Sequence, residues 1–317
     1  MTISQQKLSL PDVRDELDAV IAEINRIILG KENRVRLAIA CLIARGHILI
    51  EDLPGVGKTT LAHVLAKTLG LDYQRIQFTS DLLPADILGV SVYNRNSVSF
   101  DFHAGPIFTQ VILADEVNRA TPRTQSALLE AMGENQVTIE GETRPLPEPF
   151  FVIATQNPST QVGTFPLPES QLDRFLMRLE LGYPDKSAER ELLKGRDRRE
   201  LLRDIVPVIQ PQRMLFLQEQ ARQIYVADAL LDYLQDLLDF SRTSTDYING
   251  LSPRAGLAML GCARAWALIH GHTHVLPEDM QAVLPSVVGH RLQSAREQSD
   301  GAPVNLAEQL IEQVPIP

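Results

Sequence analysis

Residues 47–70, HILIEDLPGVGKTTLAHVLAKTLG, contain the stretch that decides the fold. Residues 47–52 are a short apolar run typical of a buried strand, and residues 59–69 have the spacing of a helix that ends at Gly70. Between them lies PGVGKT, residues 54–59, in the strand–loop–helix context that a phosphate-binding loop requires. This context predicts a nucleotide-binding α/β domain.

The loop contains the residue types needed to hold phosphate. Its glycines allow successive backbone N–H groups to point at phosphate oxygens, and the start of the following helix adds a partial positive charge. Lys58 is expected to reach the β- and γ-phosphates, and the Thr59 hydroxyl to bind Mg²⁺. Asp52 occupies the position where the full pattern has a glycine, and its effect on nucleotide affinity is left open. The predicted nucleotide-binding residues are Pro54, Gly55, Val56, Gly57, Lys58, Thr59 and Thr60.

A second apolar run, VILADE at residues 111–116, ends in two adjacent acids. Ligands of open α/β sheets bind at the carboxyl ends of strands, so both carboxylates are expected to face the phosphate loop. Asp115 is predicted to hold Mg²⁺, directly or through water, and Glu116 to polarise the water that attacks the γ-phosphate. The alternative for such a pair is a solvated turn. Together with the loop, the pair predicts a nucleoside triphosphatase.

The order of apolar runs along the chain predicts two domains. Further strand-like runs at 73–79, 150–157 and 175–181 alternate with helices, which favours a parallel α/β sheet because its strands are buried on both faces. From residue 183 helical spacing dominates, over 188–202, 212–223, 227–240, 254–270, 277–288 and 304–313. We predict an α/β core with an N-terminal helix over residues 1–182, and an all-α domain with a C-terminal tail over 183–317.

Two segments interrupt the α/β alternation. Residues 90–100 and 136–146 alternate apolar and polar residues around a polar turn, which predicts two inserted β-hairpins. Hairpins inserted into an α/β core usually have a role beyond stability, although solvated decoration is the alternative.

Composition narrows the class of protein. Hydrophobic residues make up 44% of the chain and charged residues 22%, as in ordinary globular proteins, and the net charge of −10 disfavours nucleic acid as a partner. The first residues lack an apolar secretory core, and no apolar run approaches the roughly 18 residues of a membrane span. A cytoplasmic protein without direct membrane insertion is therefore expected.

The order of the motifs resembles the MoxR family of AAA+ ATPases. The resemblance covers about residues 27–260 and rests on IILG, LPGVGKTT, VILADEVNRA, LLEAMGENQVTIEG, FVIATQNP, LPESQLDRF and LSPRAGLAML. It implies ATP and Mg²⁺ as cofactors, a helical lid as the second domain, and assembly into a homo-oligomeric ring with a hexamer as the expected size. It also implies a chaperone-like role in maturing or activating a protein client, often one with a von Willebrand factor A domain.

The resemblance assigns roles to three further polar residues. Asn157 resembles sensor 1, which orients the attacking water; the alternative is a cap of the turn into Pro158. Arg174 resembles the arginine finger that reaches the γ-phosphate bound by a neighbouring subunit; the alternative is a salt bridge with Asp173 or Glu169. Arg254 resembles sensor 2, which would close the lid over the nucleotide; the alternative is an ordinary arginine at a helix start.

Ile28, Leu29 and Gly30 resemble the segment that lines the adenine pocket, although core packing would explain the apolar pair equally well. The resemblance also interprets both hairpins as insertions shared with magnesium-chelatase motors and enhancer-binding activators. The first hairpin lacks the GAFTGA-type loop of the activators, which disfavours a role in transcription.

Three other functions are alternatives to the MoxR-type role. A magnesium-chelatase-like metal-insertion motor would carry the same motifs. An ATP-gated scaffold that does not hydrolyse ATP is disfavoured by Glu116, Asn157 and Arg174, and a DNA-acting motor by the negative charge.

Overall fold

The computed structural model describes residues 10–157, 164–195, 198–295 and 305–316. Its strands are β1 (Ile48–Glu51), β2 (Tyr73–Gln77), β3 (Gly89–Asn94), β4 (Ser99–Ala104), β5 (Val111–Asp115), β6 (Gln136–Ile139), β7 (Glu142–Pro145), β8 (Phe151–Gln156) and β9 (Met177–Leu179). Five of them form a parallel sheet in the order β2–β5–β8–β1–β9, while β3–β4 and β6–β7 form two antiparallel hairpins. The predicted α/β core and both hairpins are confirmed.

Within the described ranges the chain forms thirteen α-helices, and those after residue 182 follow the predicted spacing with one difference. The thirteen helices are α1 (Leu10–Asn25), α2 (Glu32–Ile43), α3 (Lys58–Thr68), α4 (Pro84–Leu88), α5 (Pro122–Glu134), α6 (Glu169–Leu172), α7 (Lys186–Lys194), α8 (Arg198–Arg203), α9 (Pro211–Arg222), α10 (Asp228–Thr243), α11 (Pro253–His270), α12 (Pro277–Val288) and α13 (Leu306–Gln313). The single helix predicted over 188–202 is wrong, because Gly195 ends α7 with an extended backbone at φ −79° and ψ 174°.

The alternation of side chains along the central strands divides the core between the two faces of the sheet. Ile48 and Ile50 of β1 belong to the apolar cluster that includes α1, α2 and α3, whereas Leu49 belongs to the cluster that includes α5. The strands β5 and β8 divide their residues in the same way. Such strands are buried on both faces, which is why their sequence reads as continuous apolar runs.

The helical region after residue 182 packs on the α1–α3 side of the sheet. Helix α11 contacts α1, α2, α9 and α12, and its buried residues belong to the same apolar cluster as α1–α3. The cluster therefore crosses the predicted domain boundary, and the division at residue 182 stays a prediction. In the described ranges, no helix has the length and apolar character that crossing a bilayer would require.

A buried histidine joins the amino ends of two central strands to α5. Nδ1 of His47 accepts from the Val152 N–H at 2.9 Å, and Nε2 lies 3.2 Å from the carbonyl oxygen of Met132. These partners fix a neutral ring that accepts at Nδ1 and donates at Nε2. Burial is the main cause that lowers the pKa of His47 from 6.5 to about 4; the bond to Met132 opposes the shift and nearby Arg254 adds to it.

We predict that this histidine makes the fold sensitive to acid. The unfolded chain takes up the His47 proton below its ordinary pKa of 6.5, whereas the folded chain resists it until about pH 4. The contribution of neutral His47 to the free energy of unfolding is therefore complete above pH 6.5. It decreases as the pH falls, by about 3 kcal/mol at pH 4. Denaturant titrations from pH 7.5 to 4 should show a shallower pH slope for His47→Gln than for the wild type. Parallel profiles for the two proteins would contradict the assignment.

Candidate active site

The predicted phosphate loop lies at the carboxyl end of β1, directly before α3. Gly57 has φ +101° and immediately precedes Lys58, the first residue of α3. A side chain is strained in this conformation, which is why the position requires glycine. The turn leaves the first N–H groups of α3 at the loop, where the helix end attracts an anion.

One side-chain amide connects the loop to the acid pair. Nζ of Lys58 donates to Oδ1 of Asn157 at 2.9 Å, and Nδ2 of Asn157 donates to Oε1 of Glu116 at 3.1 Å. Lys58 is only 8% exposed, and burial lowers its pKa while the carboxylates of Asp52, Asp115 and Glu116 oppose that shift. The residues predicted as phosphate ligand, sensor and base are thus joined in one array. The alternative for Asn157, a cap of the turn into Pro158, falls outside the described residues.

Thr155 fixes the relation between the two acids. Its hydroxyl donates to Oδ1 of Asp115 at 2.6 Å and accepts from the backbone N–H of Glu116 at 2.9 Å. Glu116 has a left-handed backbone with φ 57°, so the chain turns sharply between the two carboxylates. Sequence reasoning missed Thr155, although a hydroxyl inside an otherwise apolar strand was a visible signal.

Each acid also has partners from outside its own strand. Oδ2 of Asp115 accepts from Nε and Nη2 of Arg75 at 3.0 and 2.6 Å. Oε2 of Glu116 accepts from Gln77 at 3.2 Å and from Arg119 at 3.0 Å. Arg75 and Gln77 both lie on β2, which pairs with β5. The sequence reading missed both residues, because their pairing with the acids depends on strand order.

Asp52, the departure from the full loop pattern, ties the loop to the end of the core. Its Oδ2 accepts from the backbone N–H of Gly182 at 2.6 Å, and its carbonyl oxygen accepts from Nζ of Lys58. A glycine at this position would lack the first of these bonds. Nζ of Lys31 donates to the carbonyl oxygens of Leu181 and Gly182. Residues 31 and 52, which precede the loop, are therefore both linked to the segment 181–182 at the end of the core.

The predicted adenine segment lies against this linkage. Ile28 is buried in the apolar cluster, and Gly30, with φ +70°, approaches Ala188 and Asp185 at the start of α7. Lys31, the next residue, makes the bonds to 181 and 182 described above. The role of Ile28, Leu29 and Gly30 in binding a base stays a prediction.

Arg174 lies away from the loop, near the amino end of the strands. It directly precedes Phe175, and its Nη1 donates to the carbonyl oxygen of Leu129 in α5 at 2.9 Å. The guanidinium passes so close to Gly133 that a Cβ there would collide with it. In the described part of the chain Arg174 forms no ion pair with Asp173 or Glu169, so the salt-bridge alternative is wrong.

Arg254 lies beside Asp173, near the amino ends of the strands, and not over the phosphate loop. Its Nε is 3.8 Å from Oδ2 of Asp173, whose Oδ1 accepts from Arg291 at 2.7 Å. Arg291 also binds the carbonyl oxygens of Phe175 and Leu176 at the amino end of β9. The loop follows the opposite end of β1, a strand about 13 Å long. The prediction that Arg254 closes the lid over the nucleotide is therefore not met within one subunit.

The position of Arg254 at the amino ends of the strands results from the packing of the helical region. Helix α11 packs against α1, α2 and α9 on the α1–α3 face of the sheet, and α12 contacts β9. This packing places the start of α11 at the amino ends of the strands. Local sequence spacing shows that an arginine begins the helix, but it does not show where the helix docks.

The donor types at the carboxyl ends of the strands suit a nucleotide and a divalent cation. The hydroxyl of Thr59 and the carboxylate of Asp115 are oxygen donors of the kind that Mg²⁺ prefers. Lys58 and the N–H groups at the start of α3 are suited to phosphate oxygens. The residues present therefore fit ATP with Mg²⁺.

Comparison with known proteins gives a consistent family. The sequence model of the "ATPase family associated with various cellular activities (AAA)" matches residues 47–177, and that of the "AAA lid domain" matches residues 240–314. The chain is 43% identical to the uncharacterized protein YeaC of Bacillus subtilis, over 89% of this chain and 88% of that one. It is 39% identical to Chaperone MoxR1 of Mycobacterium tuberculosis, over 87% of this chain and 75% of that one.

A solved structure extends the likeness to the whole fold. A crystal structure of an ATPase candidate from Cytophaga hutchinsonii has a TM-score of 0.88 and 34% sequence identity. The match covers 97% of each chain. The helical region and both hairpins therefore belong to the matched fold together with the sheet.

We predict that the Thr155 hydroxyl is required for hydrolysis but not for ATP binding. Thr155→Val keeps the shape of the side chain but removes the bonds to Asp115 and to the Glu116 N–H. Turnover should fall roughly 10- to 100-fold, as for other residues that orient a metal ligand. Thr155→Ser, which keeps the hydroxyl, is the matched control. Equal turnover of the two variants, with ATP affinity measured in parallel, would refute the role of Thr155.

Proposed function

The chain belongs to the MoxR family of AAA+ ATPases, and on that premise we propose that it couples Mg²⁺-dependent ATP hydrolysis to chaperone-like remodelling or activation of partner proteins. The observation that carries the hydrolytic part is the array of Lys58, Asn157 and Glu116. A protein that only used ATP as a structural ligand would not need a carboxylate held by the same amide as the phosphate-binding lysine. The array therefore supports hydrolysis over a passive scaffold.

The residues would divide the chemistry of hydrolysis in the following way. Lys58 and Thr59 would hold the phosphates and Mg²⁺, with Asp115 as the second metal ligand. Mg²⁺, when bound, would neutralise charge that develops on the phosphate oxygens. Once the Glu116 carboxylate breaks its bonds to Gln77 and Arg119, it would polarise the attacking water. Asn157 would position both that water and the carboxylate.

Hydrolysis would also require a second subunit. Arg174 and Arg254 both lie near the amino ends of the strands, whereas the phosphate loop lies at the carboxyl end of β1. Because neither arginine reaches the loop of its own subunit, we propose that both approach the γ-phosphate held by a neighbouring copy in a ring, with a hexamer as the expected size. A finger of this kind accelerates phosphoryl transfer by roughly 10³–10⁵.

The backbone leads from the base to the second hairpin, and a side-chain contact joins that hairpin to the first. Glu116 is followed by a short 3₁₀ turn and then by α5, which runs directly into β6 of the second hairpin. Arg144 of that hairpin places its guanidinium 4.0 Å from the ring centre of Phe102 in the first hairpin. A change at Glu116 would thus move both hairpins together. We propose that this joint movement of the hairpins is the mechanical step that acts on the client.

The first hairpin has an exposed apolar surface suited to a protein client. Val98 and Phe100 are 73% and 71% exposed, and the ring of Phe100 packs edge-on against Tyr93 at 5.3 Å. Exposed apolar surface of this kind marks a contact site for another protein. We propose that it binds apolar segments of a client. A von Willebrand factor A domain protein is the candidate that the family resemblance suggests.

We predict that these side chains are needed for client response but not for basal turnover. A permanently unfolded casein should stimulate the ATP turnover of the wild type, and a Val98→Ser/Phe100→Ser variant should lose most of that stimulation. The basal rate should be unchanged, because neither residue contacts the nucleotide site. Ile248→Ser, at a residue 58% exposed in the helical region, is the control and should respond as the wild type. Equal stimulation of all three proteins would rule out this client surface.

A further inference from the structure

Helix α10 has an acidic stripe along its exposed side. Asp228, Asp232, Asp236 and Asp239 follow one another at spacings of four, four and three residues, and all four are exposed. Asp239 lies 3.4 Å from Arg242 of the same helix, while the other three take part in no ion pair within the described residues. The stripe therefore presents negative charge that this subunit leaves uncompensated.

An apolar groove runs along the edge of this stripe, between α10 and α11. It has a volume of about 630 Å³. Leu257, which is 72% exposed, lies at its rim together with Leu231 of α10. Leu257 is three residues after Arg254, about one helical turn along α11. Pro253 also lines the groove, which thus reaches the start of α11, where Arg254 lies.

The complementary features occur on α7, on the side of the phosphate loop. Lys186, Arg190 and Lys194 are spaced by four residues and form an exposed basic stripe, and the adjacent Leu193 is 83% exposed. Helix α7 starts four residues after Gly182, whose backbone N–H donates to Asp52 just before the loop. The basic stripe and the exposed leucine therefore belong to the nucleotide-binding side of the subunit.

We propose that α7 of one copy docks in the α10–α11 groove of the next copy, with Leu193 in the groove and the basic stripe along the acidic one. The proposal rests on the ring arrangement given above and adds the surface that holds the ring together. Two different complementary surfaces on one chain produce a head-to-tail contact, which closes into a ring when the rotation permits. The same contact carries Arg174 and Arg254 toward the neighbouring phosphate loop.

Charge reversal tests this contact. One variant reverses the acidic stripe, Asp232→Lys/Asp236→Lys, and a second reverses the basic stripe, Lys186→Glu/Arg190→Glu. Each alone should need a roughly tenfold or higher concentration to assemble with ATP, because like charges then face each other. An equimolar mixture should recover assembly, since a reversed stripe meets its reversed counterpart at one contact and the natural pair remains at the other.

The readout is oligomer mass measured by sedimentation across a concentration series. Glu278→Lys/Glu312→Lys, at exposed acids on α12 and α13, is the matched control and should assemble as the wild type. Leu193→Asp tests the apolar part independently, and its exposure makes misfolding an inadequate explanation for lost assembly. The proposal is overturned if both reversed variants assemble normally, or if their mixture does not recover.

The outcomes separate this surface from the proposed function. A wild type that assembles but does not hydrolyse ATP would leave the α7–α10 contact in place and reject the ATPase mechanism. A wild type whose turnover rises with assembly, beside reversed variants that assemble equally well, would keep the mechanism and reject this contact.

Discussion

The side-chain amide of Asn157 bonds to Lys58 on one side and to Glu116 on the other, and the rest of the site depends on this link. It exists because β8 lies between β5 and β1, so that the three carboxyl ends bring the acid pair, the amide and the phosphate loop together. An amide can donate and accept at once, which neither a carboxylate nor an ammonium group can do. The position therefore couples the phosphate-binding group to the base through a single side chain.

The opposite end of the same strands has a different chemistry. His47, Asp173 and the arginines 174, 254 and 291 gather there, and α5 and α11 both reach this end through the bonds described above. A parallel sheet has all of its carboxyl strand ends on one edge and all of its amino strand ends on the other, so one subunit separates its phosphate-binding groups from these arginines by the length of the sheet. In the proposed ring, the two edges meet across a subunit boundary.

Local spacing was sufficient to predict the residues that act within one strand–loop–helix unit. Lys58, Asp115 and Glu116 follow from such patterns, and so do the α/β core and both hairpins. Residues that depend on strand order or helix docking could not be found in this way: Gln77 meets Glu116 only because β2 pairs with β5, and Arg254 joins Asp173 only because of how α11 packs. Apolar spacing also failed at Gly195: it predicted one helix over 188–202, but the extended backbone of Gly195 ends α7.

The most direct test of the shared site is complementation between two inactive variants. Lys58→Ala should remove ATP binding but keep the arginines, whereas Arg174→Ala should keep ATP binding but remove the finger. Each variant should have little turnover alone, and their mixture should regain activity at contacts where an intact loop faces an intact arginine. Recovery that is maximal near equal proportions supports catalysis across the subunit boundary. A mixture as inactive as its components, despite forming mixed oligomers, would contradict it.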